Sequence, residues 1–483
     1  MNSEPQNILF ICSDQHNRNM LGAHGHPNVR TPHLDRLAGE GVSFTNAYTN
    51  SPICVPARAS LATGRYVHDI GAWDNAAPYT GERASWGHRL TEQGVNVTTI
   101  GKLHYRDSAD DTGFPDQRLP LHVLGGIGDL LTLIRETGLP GANLSRKQVL
   151  AAGPGESEYT RYDRAIAAEA VRFLRDEAPA KEKPWALFVS FVTPHYPLIA
   201  PQEYYDLYNP EDIEIPHHYR LGERPSHPVV DEYRRLIGAD DELDDSAVRN
   251  ALAAYYGLCS FMDAQAGAVL TALRDAGLDK TTRIIYASDH GDSMGEHGLW
   301  FKSTMYEGSV AIPCMIAGPD LPKGVKINEP VSLVDVFPTL VEAAGVRLAP
   351  EDGDLPGRSL LPLARGKAWP KRIIFSEYHA AASITGFFML REGDYKYIHY
   401  VDYPPQLFNL AEDPEESADL AGDPRFAELL GHFEQKLREL VVPEETDQLA
   451  RKDQRRRLDL HGGREAVIAQ GFKVPYTPAP QID

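Results

Sequence analysis

Four predominantly apolar, strand-like runs, each followed by polar residues, constrain the fold of this chain more than any other feature. They cover residues 7–12, 95–100, 185–192 and 283–288. Apolar runs without alternation are typical of strands that are buried on both faces, as in parallel sheets. Helical patterns lie between them. We therefore predict an α/β fold with a doubly wound, mostly parallel sheet flanked by helices.

The polar residues that follow these runs predict a single site. They are Asp14 with Gln15, Lys102 with His104, His195 alone, and Asp289 with His290. Ligands of open α/β sheets bind beyond the carboxyl ends of the strands, which meet at one edge. Considered singly, each of these residues would be interpreted as an ordinary polar residue of a turn or of the surface. Their recurrence at successive strand ends indicates that they act together.

A fifth contributor is the segment 51–65, which contains Cys54-x-Pro56-x-Arg58, then small residues, then Thr-Gly-Arg. The residues before Cys54 break regular structure, whereas the residues after Pro56 favour a helix that begins near it. Cys54 would then lie at a helix N-terminus, where free N–H groups attract anions. From its position alone, Cys54 is either a small core residue or a low-pKa thiolate nucleophile.

Charge and cysteine usage exclude several classes of partner. The net charge of −20 over 483 residues argues against nucleic acid and against anionic membrane surfaces. The four cysteines lack Cys-x-x-Cys spacing, so we expect neither a disulfide framework nor a zinc ribbon. The first residues have no basic region and the apolar run after them is short, which predicts a cytoplasmic protein without a membrane segment.

The pattern of elements changes after the first three quarters of the chain, which predicts three regions. We expect a catalytic α/β domain in residues 1–370 and a subdomain in 371–442, with a small antiparallel sheet and a helix near 426–440. Residues 443–483 form a polar tail with a basic run. That run is either a solvated helix face or an arm that docks on an acidic neighbouring subunit, which predicts a homodimer or homotetramer.

Two segments show weak periodicity. Residues 107–158 are rich in glycine and proline, so we expect an excursion over the active face that shapes substrate choice. Residues 201–245 are rich in tyrosine, proline and acids, and we expect them to be irregular.

The predicted site has the chemistry of a divalent-cation site that handles an anion. Carboxylate oxygens suit Ca²⁺ or Mg²⁺, and an imidazole moves the preference toward Mn²⁺ or softer metals. Such an ion would polarise a substrate oxygen. Arg58, Lys102 and Lys302 would stabilise charge on the non-bridging oxygens of the substrate.

Taken together, these motifs resemble the sulfatase family of the alkaline phosphatase superfamily. The resemblance extends from residue 7 to about residue 440 and depends on Asp14, Cys54-Val55-Pro56-Ala57-Arg58, Gly101-Lys102-Leu103-His104, Ser288-Asp289-His290-Gly291 and Lys302. It implies an alkaline phosphatase-like fold. It also implies that a formylglycine-generating enzyme oxidises Cys54 to formylglycine. The activity it implies is hydrolysis of an organic sulfate monoester, aryl or alkyl, through a metal-bound gem-diol of that formylglycine.

The resemblance also assigns roles to individual residues. The implied metal ligands are Asp14, Gln15, Cys54, Asp289 and His290. Arg58 would support the gem-diol, and His104 would take the proton for collapse of the sulfated intermediate. His195 and Lys302 would face the leaving oxygen, one of them as general acid. Asn75 and Lys102 would bind the substrate.

Two departures from the commonest sulfatase pattern leave alternatives open. Gln15 and His290 resemble the branch that holds choline sulfatases and phosphonate monoester hydrolases. Lys102 and His104 favour the sulfatases there, because phosphonate monoester hydrolases have neutral residues at those positions. Residues 377–382 lack the extra acidic residue expected for choline. The alternatives are a phosphonate monoester or phosphodiester hydrolase, a choline sulfatase, and a non-catalytic binding protein, which the filled polar positions disfavour.

Overall fold

The computed structural model describes residues 7–139, 141–471 and 476–481. Residues 1–6, on which part of the cytoplasmic prediction depends, lie outside them. The strands are β1 (Asn7–Asp14), β2 (Gly41–Tyr48), β3 (Asn96–Lys102), β4 (Asp116–Leu121), β5 (Gly153–Pro154), β6 (Trp185–Pro194), β7 (Ile199–Ala200), β8 (Thr282–Ser288), β9 (Ala311–Ala317), β10 (Val325–Ile327), β11 (Val331–Ser332), β12 (Ile374–Tyr378), β13 (Phe387–Glu392), β14 (Tyr395–Tyr400) and β15 (Tyr403–Asn409). The α-helices are α1 (Pro32–Glu40), α2 (Cys54–Thr63), α3 (Val67–Ile70), α4 (Trp86–Glu92), α5 (Leu144–Leu150), α6 (Glu158–Arg172), α7 (Gln202–Tyr205), α8 (Pro228–Ile237), α9 (Asp245–Asp275), α10 (Glu307–Val310), α11 (Val336–Ala343), α12 (Leu360–Ala364), α13 (Ala427–Leu440), α14 (Pro443–Leu460) and α15 (Gly463–Gln470).

The main sheet has the strand order β10-β2-β9-β8-β1-β6-β3-β4, with β11 beside β2. Within it β9 runs antiparallel to both of its neighbours, and the other pairs are parallel. The central strands β1 and β6 are almost completely buried, as their continuous apolar runs predict. The prediction of a doubly wound, mostly parallel sheet is confirmed.

The order of the central strands brings the predicted polar residues to one edge. Strands β8, β1, β6 and β3 are consecutive and parallel, so their carboxyl ends lie side by side. The four apolar runs thus deliver their polar clusters to the same place.

A second sheet of four antiparallel strands, β12-β13-β14-β15, follows the main sheet in the chain. Helix α13 packs on it through Phe433 and Leu437, which share an apolar cluster with Phe388 and Leu390. The predicted antiparallel subdomain with its helix is therefore present. The proposed boundaries at residues 370 and 442 stay predictions.

Two segments differ from the expectation. Within the glycine-rich excursion, β4 pairs in parallel with β3 and extends the main sheet. Within residues 201–245, expected to be irregular, α8 forms a ten-residue helix that buries Val229, Tyr233 and Leu236. These residues have helical spacing. The prolines and acids around them hide this signal, because they dominate the composition of the segment.

The tail begins with helices α14 and α15, and α14 docks on the rest of the same chain. Trp73 Nε1 donates to Asp453 Oδ2 at 3.1 Å, and Gln454 Nε2 donates to Asp74 Oδ2 at 3.0 Å. Arg457 in the basic run donates to the carbonyl of Ala76 at 2.7 Å. The basic run is thus partly an intramolecular contact surface and not only a solvated face. The dimer or tetramer stays a prediction. In the described part of the chain, no helix is long and apolar enough to cross a bilayer.

Candidate active site

Cys54 is the first residue of α2, and the residue before it is extended. All ten residues of the helix are buried, so its N-terminus opens inside the protein. Asn75 Oδ1 accepts a hydrogen bond from the backbone N–H of Val55 at 3.2 Å, which places this amide beside Cys54. The predicted position of Cys54 at a helix N-terminus is confirmed.

Four predicted residues bring their ligand atoms together around Cys54. Atoms of Asp14, Cys54, Asp289 and His290 lie within 4.8 Å of one another, and all four residues are buried. Cys54 Sγ lies 3.2 Å from His290 Nε2 and 3.7 Å from Asp14 Oδ1. Two carboxylates, an imidazole and a side chain at position 54 form a donor set that fits a divalent cation.

His290 is oriented by its own loop. Its Nδ1 donates to the carbonyl of Gly291 at 3.0 Å, so Nε2 is the nitrogen that faces Cys54 and the two carboxylates. Burial opposes protonation, but the Asp289 carboxylate and Cys54 raise the pKa of His290 above its ordinary value. The surroundings of His290 therefore favour a positive charge, as a cation site requires.

Arg58 holds both carboxylates from one side. Its Nε donates to Asp289 Oδ2 at 2.8 Å and its Nη2 to Asp14 Oδ2 at 3.3 Å. Its Nη1 donates to the carbonyl of Lys102 at 2.8 Å and to Ser190 Oγ at 2.9 Å. The guanidinium is fully engaged and buried, so it fixes the carboxylates in position.

Lys102 forms an ion pair with Asp14 Oδ2. Burial alone would raise the pKa of the Asp14 carboxyl, but the positive charges of Lys102 and Arg58 hold it well below its ordinary value. Asp14 is therefore ionised at neutral pH and available to a cation.

Gln15 lies at the site in a different arrangement from the predicted ligand. Its side-chain amide donates to Asp292 Oδ2 and accepts from Lys302 Nζ, and its backbone has φ of 67°. Its role as a metal ligand stays a prediction. Asp292, which the sequence analysis did not select, accepts from the backbone N–H groups of Met294 and Phe301, each at 2.9 Å. The only signal for it was its place directly after the Asp289-His290-Gly291 motif.

His195 and Lys302 line the cavity in front of Cys54. His195 Nδ1 donates to the carbonyl of Tyr196 at 2.7 Å, and Lys302 Nζ lies 5.4 Å from the centroid of the Tyr196 ring. Burial, together with the charge of Lys302, holds the pKa of His195 well below its ordinary value. His195 is therefore neutral at pH 7.

His104 is held by the C-terminal segment. Its Nε2 lies 3.0 Å from Thr477 Oγ1, and its Nδ1 is buried without a hydrogen-bond partner in the described residues. The backbone carbonyl of Thr477 accepts from Tyr159. Burial and the charge of Lys102 hold the pKa of His104 well below its ordinary value. The chain sequence carries no signal for this contact, which joins positions 373 residues apart.

These side chains open into one cavity of about 660 Å³. Cys54, Asn75, Lys102, His104, His195 and Lys302 all contribute to its lining. The structure thus brings every residue that was predicted to bind the substrate to the wall of a single cavity. A cavity that holds a buried nucleophile, two cationic side chains and a candidate cation site suits an ester of a strong oxyacid.

Comparisons with known proteins agree with this geometry. A sequence model of the family described as Sulfatase matches residues 6–346, and one described as N-sulphoglucosamine sulphohydrolase, C-terminal, matches residues 295–442. The chain is 30% identical to arylsulfatase K of Danio rerio over 90% of this chain and 83% of that protein. It is 32% identical to choline-sulfatase of Rhizobium meliloti (strain 1021) over 88% of this chain and 84% of that protein.

Solved structures show the same fold. The phosphonate monoester hydrolase of Agrobacterium radiobacter superposes with a TM-score of 0.72 at 25% identity, over 90% of this chain and 95% of that one. A putative sulfatase from Bacteroides thetaiotaomicron VPI-5482 gives a TM-score of 0.73 at 23% identity, over 92% of this chain and 94% of that one. The family match spans most of the chain and the site geometry follows its motifs, and the chain therefore belongs to the sulfatase family of sulfuric ester hydrolases.

Proposed function

We propose that this protein hydrolyses aryl or alkyl sulfate monoesters to an alcohol and inorganic sulfate, with a formylglycine made from Cys54 as the source of the nucleophile. The observation that carries the proposal is the convergence of Asp14, Cys54, Asp289 and His290 within 4.8 Å. A formylglycine-generating enzyme would act before folding buries α2, because every residue of that helix is buried in the folded chain.

A divalent cation, Ca²⁺, Mn²⁺ or Mg²⁺, would be held by Asp14, Asp289, His290 and the modified position 54, and when bound it supplies Lewis-acid polarisation. Arg58 orients both carboxylates through its contacts with Asp14 and Asp289. Lys102 and Lys302 provide positive charge near Cys54, where the negatively charged oxygens of the sulfate group would lie.

The proton balance distinguishes Lys302 from His195. Hydrolysis breaks the bond between sulfur and the ester oxygen, and that oxygen must gain a proton. Because His195 is neutral at pH 7, it can orient the ester oxygen but has no spare proton of its own to give. We assign the general acid to Lys302. His104, neutral and hydrogen-bonded to Thr477, is suited to accept a proton from position 54.

The choline and phosphonate alternatives are tested by relative rates. We expect kcat/KM for phenyl sulfate to exceed that for phenyl methylphosphonate and for a phenyl phosphodiester by at least about 10²-fold, because Lys102 and His104 occupy the positions that favour sulfates. Steady-state kinetics with one enzyme preparation measures this. A preference for either phosphorus ester would overturn the proposal, and a preference for choline sulfate would favour the choline sulfatase alternative.

Replacement of Lys302 by methionine is expected to lower kcat/KM by about 10²-fold for alkyl sulfates. Esters of 4-nitrophenol should lose much less, because their leaving oxygen needs little protonation. The measurement is kcat/KM against leaving-group pKa for the wild type and the variant, with His195→Asn as a comparison. An equal loss for all esters would show that Lys302 acts on the sulfuryl oxygens and would contradict its role as acid.

A further inference from the structure

The cavity in front of Cys54 is polar at one end and apolar over most of the rest. Its volume of about 660 Å³ lies in the range of roughly 300–1,000 Å³ that holds drug-sized ligands. The cationic and histidine side chains lie at the reacting end. A sulfate group occupies only a small part of this volume. Most of the cavity is therefore available to the organic portion of the substrate.

The apolar wall is made by two segments distant in sequence. Side chains of residues 130–139 and of helix α15 pack together in one apolar cluster. From this cluster the side chains that line the cavity are Leu130, Leu131, Ile134, Leu139, Val467 and Ile468. Leu124 and Ile127 also line the cavity and remain 49% and 41% exposed. Exposed aliphatic side chains at the mouth of a cavity mark a surface that an apolar ligand would cover.

Aromatic side chains also line the cavity. Tyr159, Tyr196, Tyr233, Phe301, Tyr378 and Tyr476 contribute to its lining. The centroid of the Tyr476 ring lies 5.0 Å from that of Tyr159 and 6.1 Å from that of Tyr196. Residues 476–481 thus contribute an aromatic side chain to the cavity lining. Aromatic and aliphatic side chains that line one cavity suit a flat or bulky hydrocarbon.

Charged and strongly hydrated leaving groups fit this lining poorly. Among the described residues that line the cavity, Asp129 is the one carboxylate. It accepts from the backbone N–H of Leu131 at 3.0 Å, and burial raises its pKa to about 6. A quaternary ammonium would meet a single carboxylate among these described lining residues, and choline is much smaller than the cavity. A sugar would bury hydroxyl groups against aliphatic side chains, which costs free energy when they lack partners.

We propose that the substrate is the sulfate ester of a bulky, uncharged, apolar alcohol or phenol, whose hydrocarbon portion contacts the aliphatic wall and the tyrosines that line the cavity. This inference depends on the proposed sulfate ester hydrolysis and names its leaving group. Water supplies the oxygen that remains on sulfur and the proton that the released alcohol carries.

The first test is a substrate series. We expect kcat/KM to increase from phenyl sulfate to 2-naphthyl sulfate to a steroid phenol sulfate, by about fourfold for each methylene-sized group buried. Choline sulfate and glucose 6-sulfate should lie at least about tenfold below phenyl sulfate. Equal or higher kcat/KM for either of these two polar esters would overturn the inference and leave sulfate hydrolysis standing.

Variants of the wall test the same point with matched controls. Ile468→Asn in α15 and Leu131→Asn in the facing segment should each lower the ratio of kcat/KM for steroid phenol sulfate over phenyl sulfate by about tenfold. Leu460→Asn, at a position on α14 that is 73% exposed and does not line the cavity, should leave the ratio unchanged. An unchanged ratio in both wall variants would contradict the inference.

Binding separates a failure of the inference from a failure of the proposed function. Calorimetry with free 2-naphthol should show binding to the wild type with a negative heat-capacity change, and at least tenfold weaker binding to Ile468→Asn. Naphthol binding without any sulfatase turnover would refute the proposed function and support the apolar site. Sulfatase turnover without naphthol binding would refute the inference alone.

Discussion

Replacement of Cys54 by serine is expected to lower the multiple-turnover rate on aryl sulfates by at least about 10⁴-fold. A serine hydroxyl could form a sulfate ester but has no second hydroxyl with which to expel the sulfate. The aldehyde made from cysteine has this route, because its hydrate carries two. The measurement is a full progress curve with enzyme in known concentration, which separates a single turnover from repeated ones.

Folding should survive this change, and a second cysteine provides the control. Cys54 contributes little apolar area, and the thermal unfolding temperature of Cys54→Ser should stay close to that of the wild type. Cys314→Ser alters another buried cysteine in β9, outside the site, and should retain turnover. Retained multiple turnover in Cys54→Ser would refute the formylglycine mechanism.

The mass of the peptide that carries Cys54 distinguishes two chemistries at this position. Burial opposes ionisation of Cys54, but Lys302, Lys102 and His290 lower the pKa of the thiol, so a thiolate nucleophile is also compatible with the electrostatics. Active enzyme should contain the aldehyde at position 54. An unmodified thiol in a preparation with full turnover would favour the thiolate instead.

The residues of the site can be predicted from the sequence wherever the end of a strand fixes the position of the backbone. Asp14, Lys102 and Asp289 each lie at or directly after the end of a buried parallel strand, and neighbouring strand ends must meet. The position of Cys54 at a helix N-terminus is predicted in the same way, from the proline that follows it and from the residues that favour a helix after that proline. These positions depend on local patterns and on one general rule of sheet topology, so a single chain is enough to predict them.

Contacts across long sequence separations could not be predicted in this way. Thr477 contacts His104, and Gln454 contacts Asp74, although no local pattern links these segments. Side-chain direction was also beyond reach at Gln15, whose positive φ turns its amide toward Asp292 and Lys302. Tertiary packing decides both features, and periodicity carries no information about them.

The apolar wall illustrates why substrate choice is harder to predict than reaction type. The reacting groups sit on sheet ends and obey spacing rules. The wall instead comes from residues 130–139, which lie in a segment of weak periodicity, and from α15 in the polar tail. The composition of residues 107–158 predicts that this excursion shapes substrate choice. Its contact with helix α15 cannot be predicted from the sequence, because it depends on the tertiary fold.

Replacement of Asp289 by asparagine is expected to lower kcat/KM by about 10³-fold and to remove the stabilisation that a divalent cation gives. Asparagine can keep the acceptor at Oδ1, which receives the backbone N–H groups of Gln15 at 3.1 Å and His290 at 2.9 Å. Arg58 keeps its contact with Asp14. The variant therefore loses one negative charge in the four-residue group, and with it the contact between Arg58 Nε and Oδ2.

Thermal unfolding with and without cation measures this effect separately from turnover. A cation at about 100 times its Kd stabilises a folded protein by about 2.7 kcal/mol, so the wild type should unfold at a higher temperature in Ca²⁺ or Mn²⁺ than in chelator. Asp289→Asn should show little of this difference. Asp263→Asn is the matched control, because Asp263 is buried but caps α1 through the N–H groups of His33 and Leu34, at 3.1 and 2.8 Å. An equal cation effect in Asp289→Asn and the wild type would show that Asp289 is not a ligand, since a ligand that loses its charge must weaken the binding of a hard cation.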